Sequence, residues 1–206
     1  GSPNPVNDAF YIDYVAHEIG HQFGAEHTFN GTAGACDSGR DRTAAYEPGS
    51  GSTIMAYAGI CGNQNLQNNS DPYFAAKSLI QIDAFVSSSF RTSCGVMQDA
   101  VNNTPQVDGG DDSVIPANTP FELIGRATDA DDDAMTFSWQ QYDLGTESSS
   151  AAEQVDDGSR PLFRVFDPSE SGIRVFPKMS DVLAGNASFG ETFPTTDRDL
   201  NFKLIV

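Results

Sequence analysis

His17-Glu18-Ile19-Gly20-His21-Gln22-Phe23-Gly24-Ala25-Glu26-His27 is the stretch on which the reading of this chain turns. Its pattern is HExxHxxGxxH. On a helix, residues i and i+4 stand one above the other, so His17 and His21 can present imidazole nitrogens to one ion at about 2.0 to 2.1 Å. Glu18 projects beside them, placed to take a proton from a water at that ion without being a ligand itself. Gly24 lets the backbone leave the helix in a conformation closed to residues with a Cβ, which swings His27 round as a third ligand. Three protein ligands leave a fourth position open, and an open position separates catalytic from structural zinc. A bare HExxH also arises by chance on helices with surface histidines. Here the chain has 3 histidines, and all of them fall on ligand positions with the glycine between.

Working outward, Asn7 to Phe23 reads as one amphipathic helix, capped by Asn7 or Asp8, with Ile12, Val15, Ile19 and Phe23 at helical spacing. Residues 28 to 52, rich in Gly, Ser, Thr, Asp and Asn, show no period and read as a long functional loop. A second helix is expected from Asp71 as cap, through Pro72 in the first turn, to about Ser88, with Phe74, Leu79, Ile82, Phe85 and Val86 as its buried stripe. Beyond Cys94 the texture changes to short alternating segments broken by Asp, Gly, Pro and Asn. Strands are expected around Phe121–Ala127, Met135–Tyr142, Leu162–Phe166, Gly172–Phe176 and Leu200–Val206, at the spacing of a sandwich. A linker near Ala100–Pro105 marks the boundary. The fold class is therefore α+β, with a metal-binding unit over 1–99 and an all-β Ig-like sandwich over 100–206.

With 206 residues and 38% apolar content, the chain can bury a core in each part. The net charge of -18 is uneven, with 9 acids against 4 Lys/Arg up to Gln98 and 20 against 7 from Asp99 onward. Such a field repels a phosphate backbone, which argues against nucleic-acid binding, and attracts cations. No stretch approaches the roughly 20 apolar residues that a membrane helix needs. Cys36, Cys61 and Cys94 lie in loop-like surroundings without CxxC spacing, which suits the disulfides of a secreted or cell-surface protein. Their odd number means that one thiol is free or that its partner lies in sequence absent here. Gly1-Ser2 reads as the scar of a cleaved tag, and the apolar strand ending at Val206 reads as trimmed.

Ser52-Thr53-Ile54-Met55-Ala56-Tyr57 lies downstream of the histidines. Together with HExxHxxGxxH, it resembles the metzincin zinc peptidases, in which a tight turn places a methionine beneath the three-histidine site. The resemblance implies that Met55 is that residue. It also matches Tyr57 to the position where astacin-like and serralysin-like members carry a tyrosine able to approach the metal and then the oxyanion. HEIGHQFGAEHTFNG, GSGSTIMAYAGIC and the segment starting DPYF look most like bacterial reprolysin-like peptidases fused to adhesion-type sandwich modules. Thr28-Phe29 is also similar to pappalysins, the runner-up. The resemblance covers about residues 7 to 95 as the lower half of a catalytic domain, and it implies a zinc endopeptidase acting on protein or peptide substrates with Glu18 as general base.

Metzincin catalytic domains place a twisted sheet ahead of the zinc helix, and its edge strand pairs with the substrate. Only sixteen residues precede His17, so weak zinc binding and poor peptidase activity are expected of this chain. The same consideration pairs Cys36 with Cys61, across the loop and the methionine turn, and leaves Cys94 for a cysteine upstream. In the acidic part, Asp129, Asp131 and Asp133 precede the strand of Phe137 and Trp139, an arrangement similar to cadherin-like and PKD-like modules. Alternating carboxylates in a loop can converge on Ca2+, which takes 6 to 8 oxygens; a solvated turn is the plainer reading. Asp108-Gly109-Gly110-Asp111-Asp112 is a weaker candidate of the same kind. Two other functions stay open: an adhesion or matrix-binding protein with a non-catalytic peptidase-like domain, and a zinc hydrolase that is not a peptidase.

Overall fold

The helical course expected from Asn7 to Phe23 is present but not uniform. A computed structural model of the chain describes residues 6–88, 98, 100–148, 150 and 155–206. In it, α1 (Asn7–Phe10) runs into a π-helical stretch, Tyr11–Ala16, and then into α2 (His17–Gln22). Asn7 opens the course with φ 73, a left-handed conformation that Asn tolerates; the Asp8 side chain lies outside the described residues. The buried face also differs from the expected one. Val15, Ile19 and Phe23 are 40 to 45% exposed, while Ile12 and Ala16 pack against Ala25, Ile54 and Met55. Gly20 continues that face: a Cβ there would overlap Met55 Sδ and meet Phe74 at 3.1 Å. The core side of the helix is made of small residues because the methionine comes close. A reading of large apolar residues selects the row one step, about 100°, around the helix.

The second helix starts later than the sequence suggests. α3 spans Ala76–Val86, and Asp71 does not cap it. Residues 71–73 instead pair with the turn that precedes Met55: Asp71 N–H donates to the Ser52 carbonyl (2.7 Å), and Ile54 N–H to the Tyr73 carbonyl (3.0 Å). The first orphan N–H of α3, on Ala76, donates to Gln140 Oε1 at 2.8 Å. Phe74 and Ile82 reach the Met55 cluster, whereas Leu79 and Val86 are exposed. Between the helices the long loop is pinned by a disulfide, Cys36–Cys61, as expected. Cys94 lies outside the described residues.

Among the described residues beyond 100 there are three two-stranded antiparallel ladders. β1 (Gln106–Asp108) pairs β3 (Arg126–Thr128), β2 (Phe121–Ile124) pairs β5 (Ile173–Phe176), and β4 (Ser138–Gln141) pairs β6 (Phe202–Ile205). The β2–β5 and β4–β6 ladders feed one apolar cluster of Trp139, Leu162, Phe163 and Phe176, joined by Phe121, Leu123, Leu200, Phe202 and Leu204. Leu162–Phe166 is buried at 162, 163 and 165 but forms no ladder strand. Leu162 and Phe163 N–H both donate to Gln141 Oε1, and a single bridge joins Phe163 to Glu191. Short α4 (Met179–Ala184), closed by Gly185 in the left-handed region, was not legible in the sequence.

The two parts of the chain are joined by buried hydrogen bonds. Ser148 donates its N–H to the Asn30 carbonyl (3.0 Å), its Oγ accepts from Gly49 N–H (2.8 Å), and its carbonyl accepts from Gln64 Nε2 (2.7 Å). Ser52 Oγ donates to the Val165 carbonyl, and Tyr46 stacks on Tyr142 with centroids 4.1 Å apart. No helix among the described residues is long and apolar enough to cross a membrane.

Candidate metal centre

The end of α2 builds the first half of the site. Gly24, with φ 84, carries a Schellman turn: Gly24 N–H donates to the His21 carbonyl (3.0 Å) and Ala25 N–H to the Gly20 carbonyl (3.0 Å). A Cβ on Gly24 would also press on Phe85 Cδ2 at 2.9 Å. The turn has a direct chemical product, because the Ala25 carbonyl it brings back lies 2.8 Å from His21 Nδ1. It also redirects the chain so that His27 returns to face the helix.

The three imidazoles meet edge to edge. His27 Nε2 lies 3.1 Å from His21 Nε2 and 3.2 Å from His17 Nε2. Each opposite ring nitrogen is engaged by a backbone carbonyl: His17 Nδ1 by Ile54 (2.7 Å), His21 Nδ1 by Ala25 (2.8 Å) and His27 Nδ1 by Gly39 (2.6 Å). A carbonyl only accepts, so every Nδ1 must carry the proton and every Nε2 is left with a bare lone pair. Three lone pairs aimed at one another repel unless a cation lies between them. Ligands at about 2.0 to 2.1 Å from a tetrahedral ion stand roughly 3.3 Å apart, close to what is seen. The donor set therefore fits zinc, with the orienting carbonyls that such sites place behind their histidines. Burial lowers the pKa of His17 and of His27, favouring the neutral form that binds metal.

Met55 is fully buried beneath the helix and serves the site through its neighbours. Its carbonyl accepts from Thr28 N–H (3.1 Å), next to His27, and Ile54 before it orients His17. The Tyr57 ring lies 4.5 Å from that of His27 and 5.6 Å from that of His17. Burial and then the charge of Glu18 raise its pKa. Glu18 is exposed, and its charge acts to raise the pKa of both His17, where burial outweighs it, and Tyr57. His17, His21 and His27 are thus brought together, with the Tyr57 ring beside His17 and His27 and Met55 beneath the helix.

Sequence reasoning missed the carbonyl acceptors, which carry no residue signature, as well as Gly20 and the buried Glu47. A glycine inside the helical pattern was the available signal for Gly20. Asp129, Asp131 and Asp133 form a second group whose carboxylate oxygens lie within 4.8 Å of one another. Asp129 Oδ1 accepts from the N–H groups of Asp131 (2.8 Å) and Asp133 (3.3 Å), and Asp131 accepts from Asn103 (2.6 Å from its N–H). A cavity of about 240 Å³ between Trp139, Phe166 and Arg174 shares no lining residue with the histidine site.

Comparison with known proteins agrees with this geometry. Residues 1–85 match the family described as metallo-peptidase family M12B, reprolysin-like. No curated protein and no solved structure matches the chain.

Proposed function

We propose that the chain is a zinc-dependent endopeptidase of metzincin type, with His17, His21 and His27 as the zinc ligands. The observation that carries this reading is the convergence of three Nε2 atoms at 3.1 and 3.2 Å with every Nδ1 locked by a carbonyl. Zinc bound there supplies a Lewis acid that ionises water near neutral pH and polarises a peptide carbonyl. The chain's own residues do the rest. Glu18 takes the proton from the attacking water and hands it to the leaving amine, a role worth about 10²–10⁴-fold in rate. Tyr57, kept protonated by burial and by Glu18, donates its O–H to the oxyanion of the tetrahedral intermediate. Protein or peptide is the substrate, and the family match over residues 1–85 supports that class.

The buried Cys36–Cys61 bridge supports an extracellular setting. Residues beyond 100 are read as an accessory module of Ig-like type, supported by two ladders sharing one aromatic cluster. Asp129, Asp131 and Asp133 would take calcium; a rise in melting temperature on adding Ca2+, lost in Asp131→Asn, supports that. The same melt with and without Ca2+ leaves the loop a turn capped by its own amides.

The deciding experiment compares zinc content and quenched-peptide hydrolysis for the wild type and Glu18→Gln. Zinc retained with hydrolysis lost supports the proposal. Absence of zinc overturns it, and zinc without hydrolysis in the wild type favours a binding protein.

A further inference from the structure

Glu47 is 1% exposed, and no ion pair reaches it among the described residues. A carboxylate in that position is costly unless its oxygens are fully engaged. They are. Oε1 accepts from Thr28 Oγ1 (2.5 Å) and from Thr53 Oγ1 (2.5 Å), while Oε2 accepts from the N–H groups of Ser52 (2.8 Å) and Thr53 (3.2 Å). The backbone of the same residue is engaged as well. Its N–H donates to the Thr28 carbonyl (2.9 Å) and its carbonyl accepts from Asn30 N–H (2.8 Å).

These contacts lie one residue from His27 on one side and one residue from the carbonyl that orients His17 on the other. Thr28 follows His27, and Thr53 precedes Ile54, the residue whose carbonyl holds His17 Nδ1. The Thr28 N–H in turn donates to the Met55 carbonyl. One carboxylate therefore fixes the distance between the segment that delivers the third histidine and the turn that aims the first. Gly51, with φ 64, makes room for it, since a Cβ there would meet Glu47 Cβ and Cδ at 3.1 Å. A carboxylate accepts from all four of these donors at once through its two oxygens. An amide in its place would keep its oxygen on the two N–H groups but turn an NH₂ toward the two hydroxyls, which must then accept and lose the short bonds they now donate to Oε1.

We infer that Glu47 is a positioning residue of the metal centre, clamping Thr28 to Ser52-Thr53 so that His17 and His27 are held with their Nε2 atoms on one ion. This rests on the zinc reading above. A role in folding alone would affect stability but not the ion, so the test reads the ion. Zn2+ affinity is measured by competition with a chromophoric chelator, and the visible spectrum is recorded after Co2+ substitution, for the wild type, Glu47→Gln, Thr28→Val, Thr53→Val and Asp156→Asn. Asp156 is a buried carboxylate whose partners all lie between residues 158 and 198, and it serves as the control for stability loss.

Glu47→Gln should weaken Zn2+ binding by about 10- to 100-fold, the range for lost support behind metal ligands, and should shift the Co2+ bands; Asp156→Asn should leave both unchanged. If Glu47→Gln does not fold, the two Thr→Val variants decide, each removing one donor and leaving the carboxylate in place. Weaker binding with shifted bands supports the inference. Wild-type affinity and spectrum in every folded variant at Glu47, Thr28 and Thr53 overturns it. Failure of the wild type to bind Zn2+ would overturn the zinc reading instead, and the two failures are distinct.

Discussion

His17 and Ile54, 37 positions apart in the chain, are joined by a 2.7 Å contact between Nδ1 and the backbone carbonyl. The turn that contains Met55 thereby decides which nitrogen of His17 carries its proton. His21 and His27 are held in the same way by Ala25 and Gly39. In zinc-loaded protein, all three rings should be Nδ1–H tautomers, with Nδ1–H protons protected from exchange. Long-range ¹⁵N correlation spectra check this, and an Nε2–H tautomer at His17 would contradict it.

Gly20 sits under Met55 with no space for a methyl group. Gly20→Ala should raise helix propensity by about 1 kcal/mol and still lose stability, because overpacking a tight core costs roughly 1–3 kcal/mol. The net effect should be destabilising, and Met55→Ala in the same background should relieve part of it. Urea unfolding of the two single variants and the double variant gives the coupling; a stabilised Gly20→Ala protein would show that the contact is loose.

Burial holds His17 and His27 below the ordinary imidazole value of 6.5. The unfolded chain takes up protons near 6.5, and the folded chain resists them until lower pH. Stability of the metal-free protein should therefore be independent of this pair above 6.5 and should fall as pH drops below it. Because buried Glu191, raised to about 7, acts in the opposite sense over the same interval, the check is a difference: the wild type should lose more stability from pH 7.5 to 5.5 than a His17→Gln/His27→Gln variant, and an equal change in both would contradict the assignment.

A second acid transition belongs to Asp156. Burial raises its pKa, but bonds from Thr196, Gly158 and Arg198 outweigh that and hold it at about 2, against an ordinary 3.8. Its stabilisation is complete above 3.8 and is lost as pH falls through about 2. Asp156→Asn should shrink the low-pH loss, to which the likewise lowered Asp157 and Asp181 also contribute, and leave the change near 6.5 intact.

Cys36 and Cys61 enclose the loop that brings the Gly39 carbonyl to His27. Closing a loop of 25 residues stabilises by about 3.5 kcal/mol in the chain-entropy description. The Cys36→Ser/Cys61→Ser double variant should lose about that much and also bind Zn2+ more weakly. Equal affinity after reduction would separate the bridge from the site.

The donors of this site were legible because their logic is local. A helical repeat aligns His17 with His21, and a glycine in the left-handed region returns His27, so eleven consecutive residues state the arrangement. The support behind them is not local. Ile54, Ala25 and Gly39 act through main-chain carbonyls, which any residue offers. Glu47 resembles a surface acid in sequence and is buried only because Thr28, Ser52 and Thr53 converge on it. The face of the histidine-bearing helix was misread for a related reason: Ala16 and Gly20 are weakly hydrophobic, yet they make the closest packing, while Val15 and Ile19 point to solvent. Asp71 has the composition of a helix cap but is recruited by Ser52, a tertiary partner that no window of sequence reveals.

X-ray absorption at the zinc edge of the metal-loaded protein tests the central claim most directly. The account predicts one zinc per chain with three imidazole nitrogens at about 2.0 to 2.1 Å, falling to two in His27→Ala. A shell containing sulfur, or one left unchanged by His27→Ala, would contradict it.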